Sequence, residues 1–269
     1  MPELPEVETT RAGLAPHLIG QTITGWTLRR GNLRWAIPPE IQLLQGAVIT
    51  ALRRRAKYLL MDTDAGSALW HLGMSGNLRV LAQDQPVRTH DHVDARLGNN
   101  MALRFHDPRR FGCLLYQAPN SVHALLQNLG PEPLSDAFNA DLLWAKTRGR
   151  AAPIKHLLMD QSVVVGVGNI YAAEALFECG VRPQRPAGKL TRAECLKLCT
   201  AVKRILTHAI QRGGTTLRDF IQPDGQPGYF EQELFVYGRQ GQPCRACGAA
   251  ITAAVLGPRQ SLYCPRCQR

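Results

Sequence analysis

The stretch CRACGAAITAAVLGPRQSLYCPRC (residues 244–267) decides how the rest of the chain is read. It holds two Cys-x-x-Cys pairs, Cys244 with Cys247 and Cys264 with Cys267, separated by the sixteen residues 248–263. Each short pair chelates one cation with little loss of chain entropy, and two pairs complete a tetrahedral four-thiolate site. That donor set suits a single Zn2+. With all four positions supplied by protein the ion is structural rather than catalytic. The insert AITAAVLGPRQSLY (250–263) reads as two strands joined at Gly257-Pro258, which puts Arg259 at the tip of a metal-stapled hairpin. An arginine there is either solvated or aimed at a phosphate.

Working outward from the hairpin, the texture becomes helical. Thr191 and Glu194 form a capping box, followed by the apolar stripe Cys195, Leu198, Cys199, Val202, Ile205, Leu206 and Ala209. The helix is expected to stop at Gly213-Gly214. The stripe places Cys195 and Cys199 on a buried face rather than around a metal, and Cys113 and Cys179 have no partner at ligand spacing. LGPEPLSDAFN (129–139), rich in proline and polar residues, reads as a linker. Between about 22 and 116 the segments are short and β-rich. ITGWTLRR (23–30), the run from Val48 to Met61, ALWHL (68–72), NLRVL (77–81) and MALRFH (101–106) alternate partially between turn residues. Residues 1–13 read as a helix start, with Pro5 in the first turn and Glu6 and Glu8 at the positive end of the dipole. The expected fold is α+β. An N-terminal β-sandwich with a leading helix (1–131) precedes a helical domain (132–234) and a four-cysteine zinc finger (235–269).

Composition narrows the function. The 269-residue chain carries a formal charge of +11, which favours a polyanionic partner because each neutralised phosphate releases counterions. Four zinc-bound thiolates leave it strongly basic. The longest apolar candidate for a membrane span, Val163-Val164-Val165, is broken at once by Gly166, and the first residues lack the basic-then-apolar order of a secretory signal. A cytoplasmic home with reduced thiols is expected.

The N-terminus carries a second chemical signal. Methionine is commonly removed before a small residue such as Pro2, which would expose a secondary amine. An α-amino group titrates near 7.7–8.0 against about 10.4 for lysine, so roughly a tenth is uncharged at neutral pH. Such an amine can attack a sugar's anomeric carbon to give a cationic imine, with Glu3 placed to move the proton that opens the ring. Composition alone also allows Pro2 and Glu3 simply to start a helix.

The string MPELPEVETTRAGL (1–14) closely resembles the start of the bacterial formamidopyrimidine-DNA glycosylases. The likeness continues through RRAKYLL (54–60), HLGMSG (71–76), HDH (90–92), DPRRFG (107–112), LGPEPL (129–134), VVGVGNIYAAEALF (164–177), GGTTLRDF (213–220), DGQPGYF (224–230) and VYGRQGQPC (236–244). The resemblance implies a base-excision repair enzyme that removes 8-oxoguanine and ring-opened formamidopyrimidines, then cuts the abasic strand by β,δ-elimination. It implies Pro2 as the Schiff-base nucleophile, Glu3 as the acid at the sugar ring, Lys57 as a proton donor at the lesion nucleotide, and Arg259 as a catalytic residue that holds phosphate near the lesion and assists the second elimination. His90, Arg109 and Arg150 should contact the backbone, and Asn169 should be the DNA-binding asparagine of a helix–two-turn–helix element, as a cap at a helix N-terminus. A base stacked in a duplex cannot reach Pro2, so it must be flipped out. Met74, Arg109 and Phe111 supply an apolar wedge, a guanidinium and a ring to fill the void. Without the resemblance, Met74 and Phe111 read as core residues and Lys57 as a solvated strand residue.

The implied partner is damaged double-stranded DNA, with no membrane and no nucleotide cofactor. The protein is expected to be a monomer, nucleoid-associated when on DNA. The loop 213–230 is expected to form a lid. Three departures from the family pattern stand out: Arg150 where lysine is common, Gln260 where a small residue is common, and Cys179 where a small apolar residue is common. Two other functions fit fewer of the residues. One is the oxidised-pyrimidine activity of the endonuclease VIII branch; the other is a non-catalytic zinc-containing DNA-binding protein.

Overall fold

A computed structural model of the chain describes residues 2–214, 233–257 and 259–269, and of Arg259 the backbone. It divides into two compact units, residues 1–127 with 212–229 and residues 128–211 with 230–269.

The first unit opens with α1 (Leu4–Leu18), which buries Leu4, Val7, Leu14 and Leu18. Eight strands follow: β1 (Ile23–Leu28), β2 (Ala51–Arg55), β3 (Tyr58–Thr63), β4 (Gly66–His71), β5 (Asn77–Ala82), β6 (Asp91–Leu97), β7 (Met101–His106) and β8 (Cys113–Gln117). They form two antiparallel four-stranded sheets, ordered β1-β6-β7-β5 and β2-β3-β4-β8. Their apolar faces share one core. Trp26, Val93, Leu103 and Phe105 from the first sheet meet Leu59, Met61, Trp70 and Leu114 from the second. Trp70 bridges them, with ring centroids 6.2 Å from Trp26 and 5.5 Å from Phe105. Aromatic pairs at such separations add specific attraction to the area they bury. α1 packs on β2 and β3, and the short α2 (Ala124–Gln127) follows β8.

Strand β6 was hidden in the sequence because DHVDARL reads as polar. Val93, Ala95 and Leu97 go to the core, while the opposite face buries charge in pairs. Arg104, 1% exposed, forks onto Asp94 with two 2.8 Å bonds, and Arg29 adds a third contact to the same carboxylate. Burial raises the Asp94 carboxyl, but the two guanidinium partners outweigh it and hold it below its ordinary range.

In the second unit, α3 (Ala140–Thr147), α4 (Ile154–Met159), α5 (Asn169–Glu178) and α6 (Arg192–Gln211) pack around Phe138, Leu143, Leu158, Val165, Tyr171, Leu198 and Leu206. The α6 capping box is present: the Thr191 N–H donates to Glu194 Oε2 at 2.7 Å, and the Glu194 N–H to Thr191 Oγ at 3.2 Å. Cys195 and Cys199 are buried on its apolar stripe. The linker expected at 129–139 is part of this unit's packing. Gly130 N–H bonds to the Gln161 carbonyl at 2.7 Å, Val165 N–H bonds to that of Pro131 at 3.1 Å, and Phe138 is fully buried. Proline-rich composition marked irregular backbone there, but hydrogen bonds and one aromatic ring fix it. The chain ends in the hairpin β9 (Thr252–Leu256) and β10 (Arg259–Tyr263). No helix among the described residues is long and apolar enough to cross a membrane.

Candidate functional site

Pro2 and Glu3 lie at the start of α1, both buried, with Glu3 as the helix N-cap. Glu3 and Glu6 make the reciprocal capping-box exchange, in which Glu6 Oε2 accepts from the Glu3 N–H at 2.8 Å. Glu6, read from sequence only as a dipole partner, is fully buried and fixes the residue beside the expected nucleophile. Gly214 adopts a φ of 79°, a conformation that favours glycine, and a Cβ there would lie 3.1 Å from Glu6 Oε1.

Lys57 occupies the turn between β2 and β3, after Ala56 at a φ of 54°. It is 8% exposed, so it is not the solvated strand residue that local sequence indicates. Its charge is felt by His71 at the end of β4. Burial first, then Lys57 and Arg34, lower the His71 pKa to about 4. That imidazole is neutral at physiological pH, and its Nδ1 accepts the Gly73 N–H at 2.9 Å. The string HLGMSG was visible in the sequence, but nothing there gave His71 a task.

Met74, Arg109 and Phe111 come together. With His71, Arg34 and Arg110 they line an open pocket of about 610 Å³. Phe111 is 45% exposed and Met74 half-buried, so neither is a core residue. The Arg109 guanidinium sits 5.3 Å from the Phe111 ring centroid, within cation–π range. His90 is exposed at a φ of 75°, with its carbonyl accepting the Asp107 N–H at 3.0 Å.

The remaining residues belong to the second unit. Arg150 is exposed, and its backbone is held by Thr147 and Gly188. Asn169 is the first helical residue of α5, and the cap is Gly168. The expected asparagine cap is therefore one position off, because Asn169 has already adopted helical geometry. Its buried Oδ1 has no hydrogen-bond partner among the described residues. The backbone of Arg259 opens β10, whereas its side chain and the lid expected within 213–230, beyond Gly214, lie outside the described residues. Gln260, one of the departures from pattern, bonds to Gln240 at 2.6 Å.

The four C-terminal cysteines converge, with their sulfurs all within 4.8 Å of one another. Cys244 and Cys267 are 3.9 Å apart at sulfur, and Cys247 and Cys264 are 3.5 Å apart. Tetrahedral Zn–S bonds of about 2.3 Å require roughly 3.8 Å between sulfurs, so the set fits one zinc ion. Crowding pushes Cys267 up to about 12, first through its hydrogen bond with Cys247 and then through burial. A divalent cation relieves that crowding by taking the sulfurs as thiolates. The site holds one structural zinc.

Sequence reasoning missed Glu174. This buried residue of α5 accepts three backbone N–H groups, from Phe235, Val236 and Tyr237, at 2.8, 3.0 and 2.8 Å. Burial raises its carboxyl, partly offset by those three donors.

A helix-led β-sandwich, a short helix passing by turns into α5, and a sulfur-lined hairpin define the class: helix–two-turn–helix proteins with a zinc finger. Within it, residues 1–114 match the formamidopyrimidine-DNA glycosylase N-terminal domain, residues 129–221 the H2TH domain of the same enzymes, and residues 241–269 the zinc finger found in FPG and IleRS. The chain belongs to the formamidopyrimidine-DNA glycosylase family. It is 64% identical over 270 residues to the formamidopyrimidine-DNA glycosylase of Stenotrophomonas maltophilia K279a, covering 100% of both chains. The crystal structure of the MutM (Fpg) protein of Thermus thermophilus superposes with a TM-score of 0.90 at 41% identity, covering 99% of this chain and 98% of that one. A Lactococcus lactis Fpg in complex with DNA containing an abasic site superposes at 0.91 with 32% identity, covering 99% of each.

Proposed function

We propose that this chain is a base-excision repair enzyme, a glycosylase and abasic-site lyase acting on oxidised purines in duplex DNA, with Pro2 as its nucleophile. The observation that carries the residue assignment is the placement of Pro2 directly before a buried N-cap glutamate at the positive end of α1. A helix N-terminus disfavours the charged amine. Removal of Met1 frees the secondary amine. Its lone pair forms a bond to C1′ of the damaged nucleotide, and the bond from C1′ to the base breaks. The base leaves with a proton, and Glu3 supplies the proton that opens the sugar ring. The resulting iminium acidifies C2′, so loss of a C2′ proton expels the 3′ phosphate, and a second elimination expels the 5′ phosphate. Lys57 is a proton donor at the lesion nucleotide, and Arg259 holds phosphate.

Met74, Arg109 and Phe111 fill the space left by the flipped base, while His90, Arg150 and Asn169 hold the backbone. Zinc takes no part in these steps; it keeps the hairpin folded. The protein acts as a monomer in the cytoplasm, associated with the nucleoid when on DNA, and uses no nucleotide cofactor. The first unit acts as the sandwich domain, and the second carries the helical domain and the zinc finger. The relatives named formamidopyrimidine-DNA glycosylase and the solved complex with abasic DNA support the reading.

The test is incision of duplexes carrying 8-oxoguanine opposite cytosine, or thymine glycol, in the presence of borohydride. The purine duplex should be incised in preference and should crosslink through Pro2. A Pro2→Gly variant that traps and cleaves as well as the parent removes Pro2 from the mechanism. Preference for thymine glycol assigns the pyrimidine activity instead.

A further inference from the structure

Asp107 has no part in the chemistry above, yet its bonds run to His90 and to the neighbours of Met74, Arg109 and Phe111. It is fully buried. Its Oδ1 accepts from the Ser75 hydroxyl at 2.8 Å, and its Oδ2 from the Gly112 N–H at 2.8 Å. Ser75 Oγ in turn accepts the Arg109 N–H at 3.2 Å. The Asp107 backbone donates to the His90 carbonyl at 3.0 Å, and its own carbonyl accepts from the Arg110 N–H and from His92 Nε2. The two loops so joined, 72–76 and 107–112, touch through bare backbone. A Cβ on Gly73 would lie 2.4 Å from the Gly112 nitrogen, and one on Gly112 would lie 3.0 Å from Asp107 Oδ2.

We propose that Asp107 is a positioning residue that clamps the loop carrying Met74 to the loop carrying Arg109 and Phe111, so that the three enter the duplex as one rigid wedge. The proposal rests on the reading of those three residues as void fillers. Its physical content is that a buried carboxylate with both oxygens occupied locks two loops more stiffly than the loops' own chains do. A wedge assembled from two independent loops would have to be ordered at each insertion, whereas a clamped one is ordered beforehand. Opening the DNA should therefore depend on Asp107, and sugar chemistry on a strand with no void should not.

The full-length, zinc-loaded protein is compared with Asp107→Asn, which places an amide where one of two acceptors is required, and with Ser75→Ala, which removes only the serine bridge. Two substrates are used. One is an 8-oxoguanine:cytosine duplex with a fluorescent adenine analogue beside the lesion; the other is a single strand with a preformed abasic site. Excision from the duplex should fall about tenfold or more relative to cleavage of the abasic strand in Asp107→Asn, since small misplacements cost that much. The fluorescence rise on unstacking should shrink with it, and Ser75→Ala should move both readouts the same way by less. Proportional loss of both activities, or an unchanged ratio in Ser75→Ala and in a folded Asp107→Asn, overturns the clamp. Failure of the parent to trap on either substrate overturns the function itself, and the clamp with it.

Discussion

His71 shows how a single group ties the chemistry of the pocket to the state of the fold. Its folded pKa of about 4 lies below the ordinary 6.5, chiefly through burial and then through the charges of Lys57 and Arg34. Above 6.5 the ring is neutral in both folded and unfolded chains and pH has no effect through it. As pH falls below 6.5 the unfolded chain takes a proton that the folded one refuses, so stability drops until about pH 4 and then levels, by up to about 3 kcal/mol. The same proton would occupy Nδ1, the atom that accepts the Gly73 N–H beside Met74. A His71→Asn variant keeps an acceptor without a titration. Urea unfolding of both proteins at about pH 7.5 and about pH 4.5 should show the parent losing more stability by about 1–3 kcal/mol. Parallel losses would mean that the ring is solvated in the fold and carries no such linkage.

At the scale of elements, α5 is held at its start and at its middle by groups that hydropathy does not reveal. Its start is set by Gly168, and its middle turn carries Glu174, whose carboxylate gathers the N–H groups of residues 235–237. Replacing Glu174 by Ala strands three backbone donors. Because an unsatisfied buried donor costs about 1–3 kcal/mol and water can recover some of them, a loss of roughly 2–4 kcal/mol is expected in urea unfolding of the zinc-loaded protein. A loss below about 0.5 kcal/mol, the size of an ordinary surface substitution, would show that solvent serves those donors equally well.

The same contrast separates what was legible in the sequence from what was not. The α6 stripe, the capping box at Thr191 and the zinc hairpin were legible because periodicity and ligand spacing are local patterns. Strand β6 was not, since the partners that neutralise Asp91 and Asp94 are Arg29 just after β1, Arg79 of β5 and Arg104 of β7. Asn169 was misplaced by one position because a cap is defined by backbone angles. Glu174 and Asp107 were passed over because a buried carboxylate looks like any other until its donors are in place. The proline-rich stretch 129–139 misled in the opposite direction, as composition reports turns and not the bonds that hold them.

On the scale of the whole molecule, zinc should matter to one unit and not to the other. The small core beneath the hairpin consists of Ala173, Val236, Cys244, Ile251, Leu262 and Cys264, with Phe177, Cys247 and Cys267 packed against it. All four ligands are thus also its packing material, and a core of that size depends on the metal for its folding energy. The sandwich core contains none of these cysteines and is built on Trp26, Trp70 and Phe105. Removing zinc with a strong chelator should therefore unfold the hairpin and abolish tight binding to lesion duplex, while the near-ultraviolet dichroism of the packed Trp26–Trp70 pair persists. Restoring zinc under reducing conditions should restore binding, because exposed thiols, unlike a metal-filled site, oxidise readily. Near-native affinity after verified loss of the metal would detach the hairpin from DNA recognition. Loss of the tryptophan signal on chelation would show instead that the sandwich cannot stand without the finger, against the independence of its core.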